Sequence, residues 1–434
     1  MTKILIRSAQ IINPQSPFHT QKKDLLIENG IITRLADTLT DPADVVLEQP
    51  NLKVSAGWVD MRVSVPDPGH EYRETLHSVR EAAAAGGFTE IAVLPNTHPV
   101  IQSKESISYI THTGNSHAVK VHPIAAVTVD THGKELTEMI DLHRAGVVAF
   151  SDGHEPLQNS DMVLKVLQYM QPFGGLFINR PEDTLLTKFG TMNEGVPATM
   201  LGMKGMPRMA ESMMIMRDLK ILEYTGGKIH FTCISTAESV ELIRQAKARG
   251  LQVTCDMAAH QIAYTEHDLM QFDTNLKVNP PFRSQTDTEA LWTGLADGTI
   301  DAVVSDHHPL DVEVKNLEFD LAAFGVIGLE TAFAVIHTHN KNLSPEKIVS
   351  LLSEKPRHIL GLPQPIIAEN QPANLTIFDT DTEWVFTEKD IRSLSRNTPF
   401  VGTHFRGKVW GVVHQGQVKI TGSSQSPIRT PNAS

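Results

Sequence analysis

Trp58-Val59-Asp60-Met61-Arg62-Val63-Ser64 has the length and apolar content of a strand and runs into Val65-Pro66-Asp67-Pro68-Gly69. It opens a pattern that governs most of the chain. From Val54 to about Leu362, short apolar runs alternate with longer amphipathic stretches, as repeated βα units around a parallel sheet do. The other candidate strands are Thr89–Leu94, Val119–Val127, Val147–Ser151, Gly175–Ile178, Lys228–Cys233, Leu251–Asp256 and Ile300–Ser305. Eight such units over roughly 300 residues predict an α/β fold, a (β/α)8 TIM barrel spanning residues 54–365.

Outside the barrel the texture is different. Lys3–Ile12 and Asp24–Leu35, with the turn signal Glu28-Asn29-Gly30, alternate like strands, and so do Leu375–Asp379 and Gly407–Thr421. Residues 1–53 and 366–421 are therefore expected to form one small composite β-domain from both chain ends, followed by a disordered Ser/Pro/Asn-rich tail, 422–434. No repeat of solenoid length stands out.

At 434 residues, 41% hydrophobic and 20% charged, the chain has a globular composition. Its net charge of −12 repels phosphate backbones and anionic membranes, so neither nucleic acid nor membrane is expected as a partner. Cys233 and Cys255 are the two cysteines, too few for a disulfide framework, and no apolar stretch is long enough to span a bilayer. A cytoplasmic location is expected. Between Met192 and Met216 lie eight methionines, at 192, 200, 203, 206, 209, 213, 214 and 216. They are read first as core filling and second as an adaptable docking surface.

The C-terminal strand ends are where a barrel of this type carries its chemistry. Gly57-Trp58-Val59-Asp60, Glu74-Thr75, Ala84-Ala85-Gly86-Gly87-Phe88-Thr89, Pro95-Asn96-Thr97, Asn279-Pro280-Pro281-Phe282-Arg283, Asp297-Gly298-Thr299-Ile300-Asp301, Asp306-His307 and Gly328-Leu329-Glu330-Thr331 occur in that order. Together they resemble the dihydroorotases of the amidohydrolase superfamily, from about residue 3 to residue 421. The resemblance implies a barrel of the metal-dependent hydrolase type.

Several positions depart from that family's pattern. The resemblance implies His-x-His after the first strand, where two imidazoles two apart on a strand grip one metal; this chain has Arg62-Val63-Ser64. Arg180 stands where His begins the family's His-Ala-Glu-Asp block, and Cys233 where His begins His-Val-Ser-Thr. Ser151-Asp152-Gly153-His154 leaves open whether Asp152 occupies a bridging position, and Asp306 is kept. On the substrate side Pro66 replaces an Arg and Leu310 a His, while Asn96 and Asn279 are retained. For both asparagines, capping of barrel loops is as good a reading as ligand binding. Arg283 is assigned to structure or a subunit contact.

A guanidinium has no lone pair to give a metal, and a Ser hydroxyl is a poor zinc ligand. Metal-assisted hydrolysis needs bound water brought from a pKa of about 15.7 to about 7. These substitutions lead to the expectation of a pseudoenzyme with no cofactor and no catalytic residue, in which Arg62 and Arg180 fill the vacated metal site and neutralise Asp306. The resemblance then implies a noncatalytic subunit of pyrimidine biosynthesis. It would bind and stabilise the aspartate carbamoyltransferase catalytic chain as a hetero-oligomer, with homo-oligomers also allowed. Two alternatives stand beside it. One is an active cyclic amidohydrolase, of dihydroorotase or hydantoinase type, whose altered zinc site draws on Cys233, His154, His260, His307 or His308; the other is a free-standing non-enzymatic scaffold.

Overall fold

The structure is a computed structural model that describes residues 3–113 and 117–421; the expected tail, 422–434, lies outside them. Eight parallel strands, Trp58–Val63, Phe88–Val93, Lys120–Ala125, Ala149–Phe150, Phe177–Asn179, Ile229–Phe231, Val253–Ala258 and Ala302–Val304, pair in chain order into a nearly closed barrel. Each overlaps one of the runs expected from the sequence. A bridge between Val63 and His307 brings the last strand end against the first. Val59, Met61, Ala92, Ile124, Ile178, Ala258 and Val304 come from strands on all sides of the ring and form one apolar cluster. The interior is thus filled, as in packed barrels, and the chemistry is confined to the strand ends.

The helices are fixed by local signals. Leu76–Ala85 begins with a reciprocal capping box between Thr75 and Ser78, and Gln285–Asp297 with one between Ser284 and Asp287. The longest, Met209–Thr225, turns Ala210, Met214, Ile215, Leu219 and Leu222 inward and leaves Met209, Met213 and Met216 exposed. Met192 and Met206 are buried while Met200 is exposed, so the methionine-rich segment divides between core filling and surface.

Strands from both chain ends share a nine-stranded sheet. Its pivot is Lys53–Ala56, which pairs in parallel with Lys3–Ile12 and antiparallel with Leu375–Val385. One residue later the chain enters the barrel. That residue has to be glycine: a Cβ on Gly57 would lie 2.0 Å from the Asn374 side-chain oxygen and 2.1 Å from the Thr89 hydroxyl. Among the described residues no helix is long and apolar enough to cross a membrane.

Candidate active site at the barrel mouth

Arg62, at the end of the first barrel strand, is 2% exposed, and its Nε donates to Asp306 Oδ1 at 2.7 Å. The frame around this pair is rigid. Asp60 accepts from the backbone N–H groups of Arg62 and Ser305, both at 2.9 Å, and Asp256 accepts from the Cys233 N–H at 2.6 Å. Cys233 and Asp306 both adopt left-handed backbone, with φ of 56° and 49°. This is costlier for cysteine than for aspartate, and such conformations concentrate at functional sites. Burial pushes the Cys233 thiol well above its ordinary pKa, so it is held as a neutral buried thiol.

Arg180 departs from expectation. Rather than sharing Asp306 with Arg62, it pairs with Glu182 at 2.7 Å and donates to the His154 carbonyl at 2.8 Å. The reason is reach: Glu182 lies two residues on in the same loop, and Arg62 already occupies Asp306. Asn279 donates to the same carboxylate oxygen, Glu182 Oε2, at 3.0 Å.

Asp152 is committed to its own neighbourhood, accepting from the N–H groups of Val127 and Thr128 and from the Thr128 hydroxyl at 2.6 Å. Burial raises its pKa in spite of those bonds. Asn96 pins the same loop, donating to the Asp152 carbonyl at 3.1 Å and accepting from the His154 N–H at 3.0 Å. A Cβ on Gly153 would lie 1.8 Å from the Asn96 side-chain oxygen, which accounts for glycine between them. Pro66 and Leu310 are backbone fixtures: the Pro66 carbonyl accepts from the His70 N–H, and the Leu310 N–H donates to Asn397. Arg283 is buried and joins Ser235, Asn193 and the Met206 carbonyl, which is structural work.

The histidines do not gather round Cys233. Among the described residues no three His, Cys, Asp or Glu side chains are grouped to hold a metal. His260 is 2% exposed with neither ring nitrogen hydrogen-bonded, and His307 is fully buried 3.4 Å from Glu74. What the strand ends bring together instead is Ser64, half-buried beside Arg62, and His154, with Oγ and Nε2 at 2.8 Å. His308 stacks on His154, ring centres 4.3 Å apart and 17° from coplanar. Sequence reasoning named Ser64 and His154 separately and missed the pair, since nothing in the chain signals a contact across 90 positions.

Both imidazoles are held neutral. Burial lowers His154 well below its usual value, and His308, Arg62 and Arg180 push the same way. His308 is pushed down to about 4 by burial, against the opposing pull of Asp306 and with Arg62, His307 and Lys315 acting in the same direction as burial. A lowered pKa stabilises the folded state fully above the unfolded value, near 6.5, and that contribution is lost as pH falls through about 4. His308→Phe keeps an aromatic ring on His154 but carries no proton. It is expected to remove about 3 kcal/mol of the stability loss between these limits, and urea titrations at a series of pH values measure it. An unchanged acid slope would contradict the assignment.

The family comparisons decide between the readings that this geometry leaves open. The pattern of the Dihydro-orotase-like family matches residues 53–239 and that of the Amidohydrolase family residues 204–419. A dihydroorotase of Pelotomaculum thermopropionicum is 40% identical over 419 residues, 96% of this chain and 98% of its own length. One of Geotalea daltonii is also 40% identical, with the same coverage. The chain belongs to the dihydroorotase family. An L-hydantoinase (dihydropyrimidinase) from Arthrobacter aurescens shares the fold, with a TM-score of 0.85 at 23% identity over 98% of this chain and 97% of that one.

For this dihydroorotase-family chain, these relatives overturn the expectation of a noncatalytic, carbamoyltransferase-stabilising pseudoenzyme. The full-length similarity is to proteins bearing an enzyme's name, and it favours the alternative, an active cyclic amidohydrolase. The expectation of no cofactor falls with it, because the family is one of metal-dependent hydrolases. The inference from missing ligands to missing activity treated one metal site as the whole of the chemistry. The family's zinc nevertheless does not fit the donors at these strand ends, where the Arg62 guanidinium is paired with Asp306 and Asp152 already accepts three hydrogen bonds.

Proposed function

We propose that this chain hydrolyses a cyclic amide of the dihydroorotate or hydantoin class, from a barrel-mouth site altered from that of its relatives. The observation that carries this reading is 40% identity sustained over 96% of the chain to proteins named dihydroorotase. The mouth supports it chemically. Arg62 Nη1 and Arg180 Nε are buried N–H donors without partners, suited to a carbonyl oxygen or a carboxylate, and a neutral imidazole stands beside them. Two buried free cysteines suit a reducing, cytoplasmic setting.

The aspartate carbamoyltransferase catalytic chain is proposed as a partner of the active protein. Exposed Leu185, Phe189, Val196, Met200 and Met209, on adjoining segments, supply an apolar surface for an interface.

The test is ring opening of dihydroorotate and of hydantoins by protein grown with zinc and by the same protein after chelation, with metal content measured in parallel. Turnover above a mock preparation is expected. A folded protein that opens neither ring in either state would overturn the reading. Co-expression with the carbamoyltransferase chain, followed by size-exclusion chromatography, tests the partner, and separate elution would discard it.

A further inference from the structure

We infer that Ser64 is a nucleophile that accepts an acyl group and that His154 is its general base. The assignment to ring opening rests on the proposed cyclic amide hydrolysis; the assignment of the pair rests on its geometry alone.

Both side chains project from fixed backbone. The Ser64 N–H donates to the His307 carbonyl at 2.8 Å, which locks the end of the first strand against the last. His154 is held through its N–H by Asn96 and through its carbonyl by Arg180. His308 packs against the face of its ring. A hydroxyl 2.8 Å from an imidazole nitrogen, on two elements that cannot readily separate, is the arrangement that activates a serine.

Other hydroxyl–imidazole contacts in the molecule lack this setting. His112 meets Ser108 and Thr111 on one exposed helix, a local contact between near neighbours. His230 meets Thr254 inside the barrel wall, fully buried, with its second nitrogen on Asp256. Ser64 and His154 are half-buried and stand at the C-terminal ends of the first and fourth strands, the face on which barrels of this type act.

Arg62 Nη1 and Arg180 Nε are buried and unpartnered in the segments that carry the pair, Arg62 two residues before Ser64 and Arg180 bonded to the His154 carbonyl.

In the first step the Ser64 Oγ–H proton passes to His154 Nε2 as Oγ bonds to the ring carbonyl carbon. The tetrahedral adduct then breaks its C–N bond, and His154 returns the proton to the departing nitrogen, leaving an ester on Ser64. Water, deprotonated by His154, attacks that ester. The ester C–O bond breaks, Oγ takes the proton back from His154, and the acid leaves as carboxylate with its own proton passing to solvent, so that one water is consumed per ring opened. The burial that keeps His154 neutral, with Arg62 and Arg180 acting the same way, also makes it a weak base. Turnover is therefore slow, and the acyl-enzyme is the better readout.

The experiment treats the full chain, chelated and zinc-loaded, with p-nitrophenyl acetate and with a fluorophosphonate, and locates the adduct by peptide mass spectrometry. One adduct per chain on Ser64 is expected in both states. It should be absent from Ser64→Ala and form about a hundredfold more slowly in His154→Gln, which keeps a hydrogen bond to Ser64 but cannot take the proton. Circular dichroism confirms that each variant is folded. No adduct on Ser64 in folded protein, or an unchanged rate in His154→Gln, overturns the inference. Ring opening undiminished in Ser64→Ala also overturns it while leaving the proposed function standing. Labelling of Ser64 without ring opening upholds the pair and removes the proposed substrate class.

Discussion

Arg62→Met is expected to destabilise the folded chain by about 3–5 kcal/mol, the range for removing one member of a buried ion pair. Methionine fills much of the volume of the arginine stem, so the loss is mainly electrostatic. Asp306 is 9% exposed and has Arg62 Nε at 2.7 Å. Arg180, the other guanidinium at these strand ends, is engaged with Glu182. An uncompensated carboxylate at a strained strand end then has to be protonated or hydrated. Asp306→Leu placed on top of Arg62→Met should recover most of the loss, since an apolar pair of similar volume carries no desolvation cost. Urea unfolding of the two single variants and the double gives the coupling directly. A loss below about 1 kcal/mol for Arg62→Met would mean that water reaches Asp306 and that the pair is effectively a surface one.

The pair also marks how far the sequence could be read. Eight apolar runs with amphipathic spacers placed every barrel strand, because burial on both faces makes parallel strands continuously apolar and leaves a strong local signal. The two-ended sheet was legible for the same reason, as period-2 runs at both termini with nothing else to pair with. Arg62 opposite Asp306 was legible too, since barrel closure brings the first and last strand ends together. Arg180 was not. Its choice of Glu182 over Asp306 is a matter of a few ångströms within one loop, which strand order does not determine. Ser64 was identified only as a replacement, and His154 only as a candidate ligand of an altered zinc site. Their meeting depends on how Asn96, Gly153 and Arg180 set the loop after the fourth strand, a packing result with no periodicity to betray it. The step from lost ligands to lost function failed for another reason: it took a negative result about one set of donors as a statement about the whole barrel mouth.

Arg357→Met is expected to be at least as damaging, by about 3–5 kcal/mol at neutral pH. Its effect falls at the opposite end of the molecule from the mouth. Arg357 is 1% exposed and gathers three elements: Nη1 donates to Glu90 on the second barrel strand at 2.6 Å, Nη2 to the Gly57 carbonyl at 2.8 Å, and Nη1 also to Pro363. Glu90 accepts in addition from His122 at 2.6 Å and from Asn374, at the start of the returning sheet, at 3.0 Å. One buried carboxylate therefore ties barrel to side sheet at the point where the first barrel strand begins. Burial alone would raise the Glu90 pKa, but the His122 hydrogen bond and the Arg357 charge together hold it far below the usual carboxylate range. A depressed carboxylate stabilises the fold above its unfolded pKa, near 4.5, and that stabilisation is lost progressively as pH falls below it. The gap between wild type and Arg357→Met should thus be widest at neutral pH and narrow steadily in acid below about 4.5. Chemical denaturation at neutral and acidic pH measures both stabilities. A gap that stays constant with pH would show that Arg357 acts through packing and its carbonyl contacts, and that Glu90 is not the charge it serves.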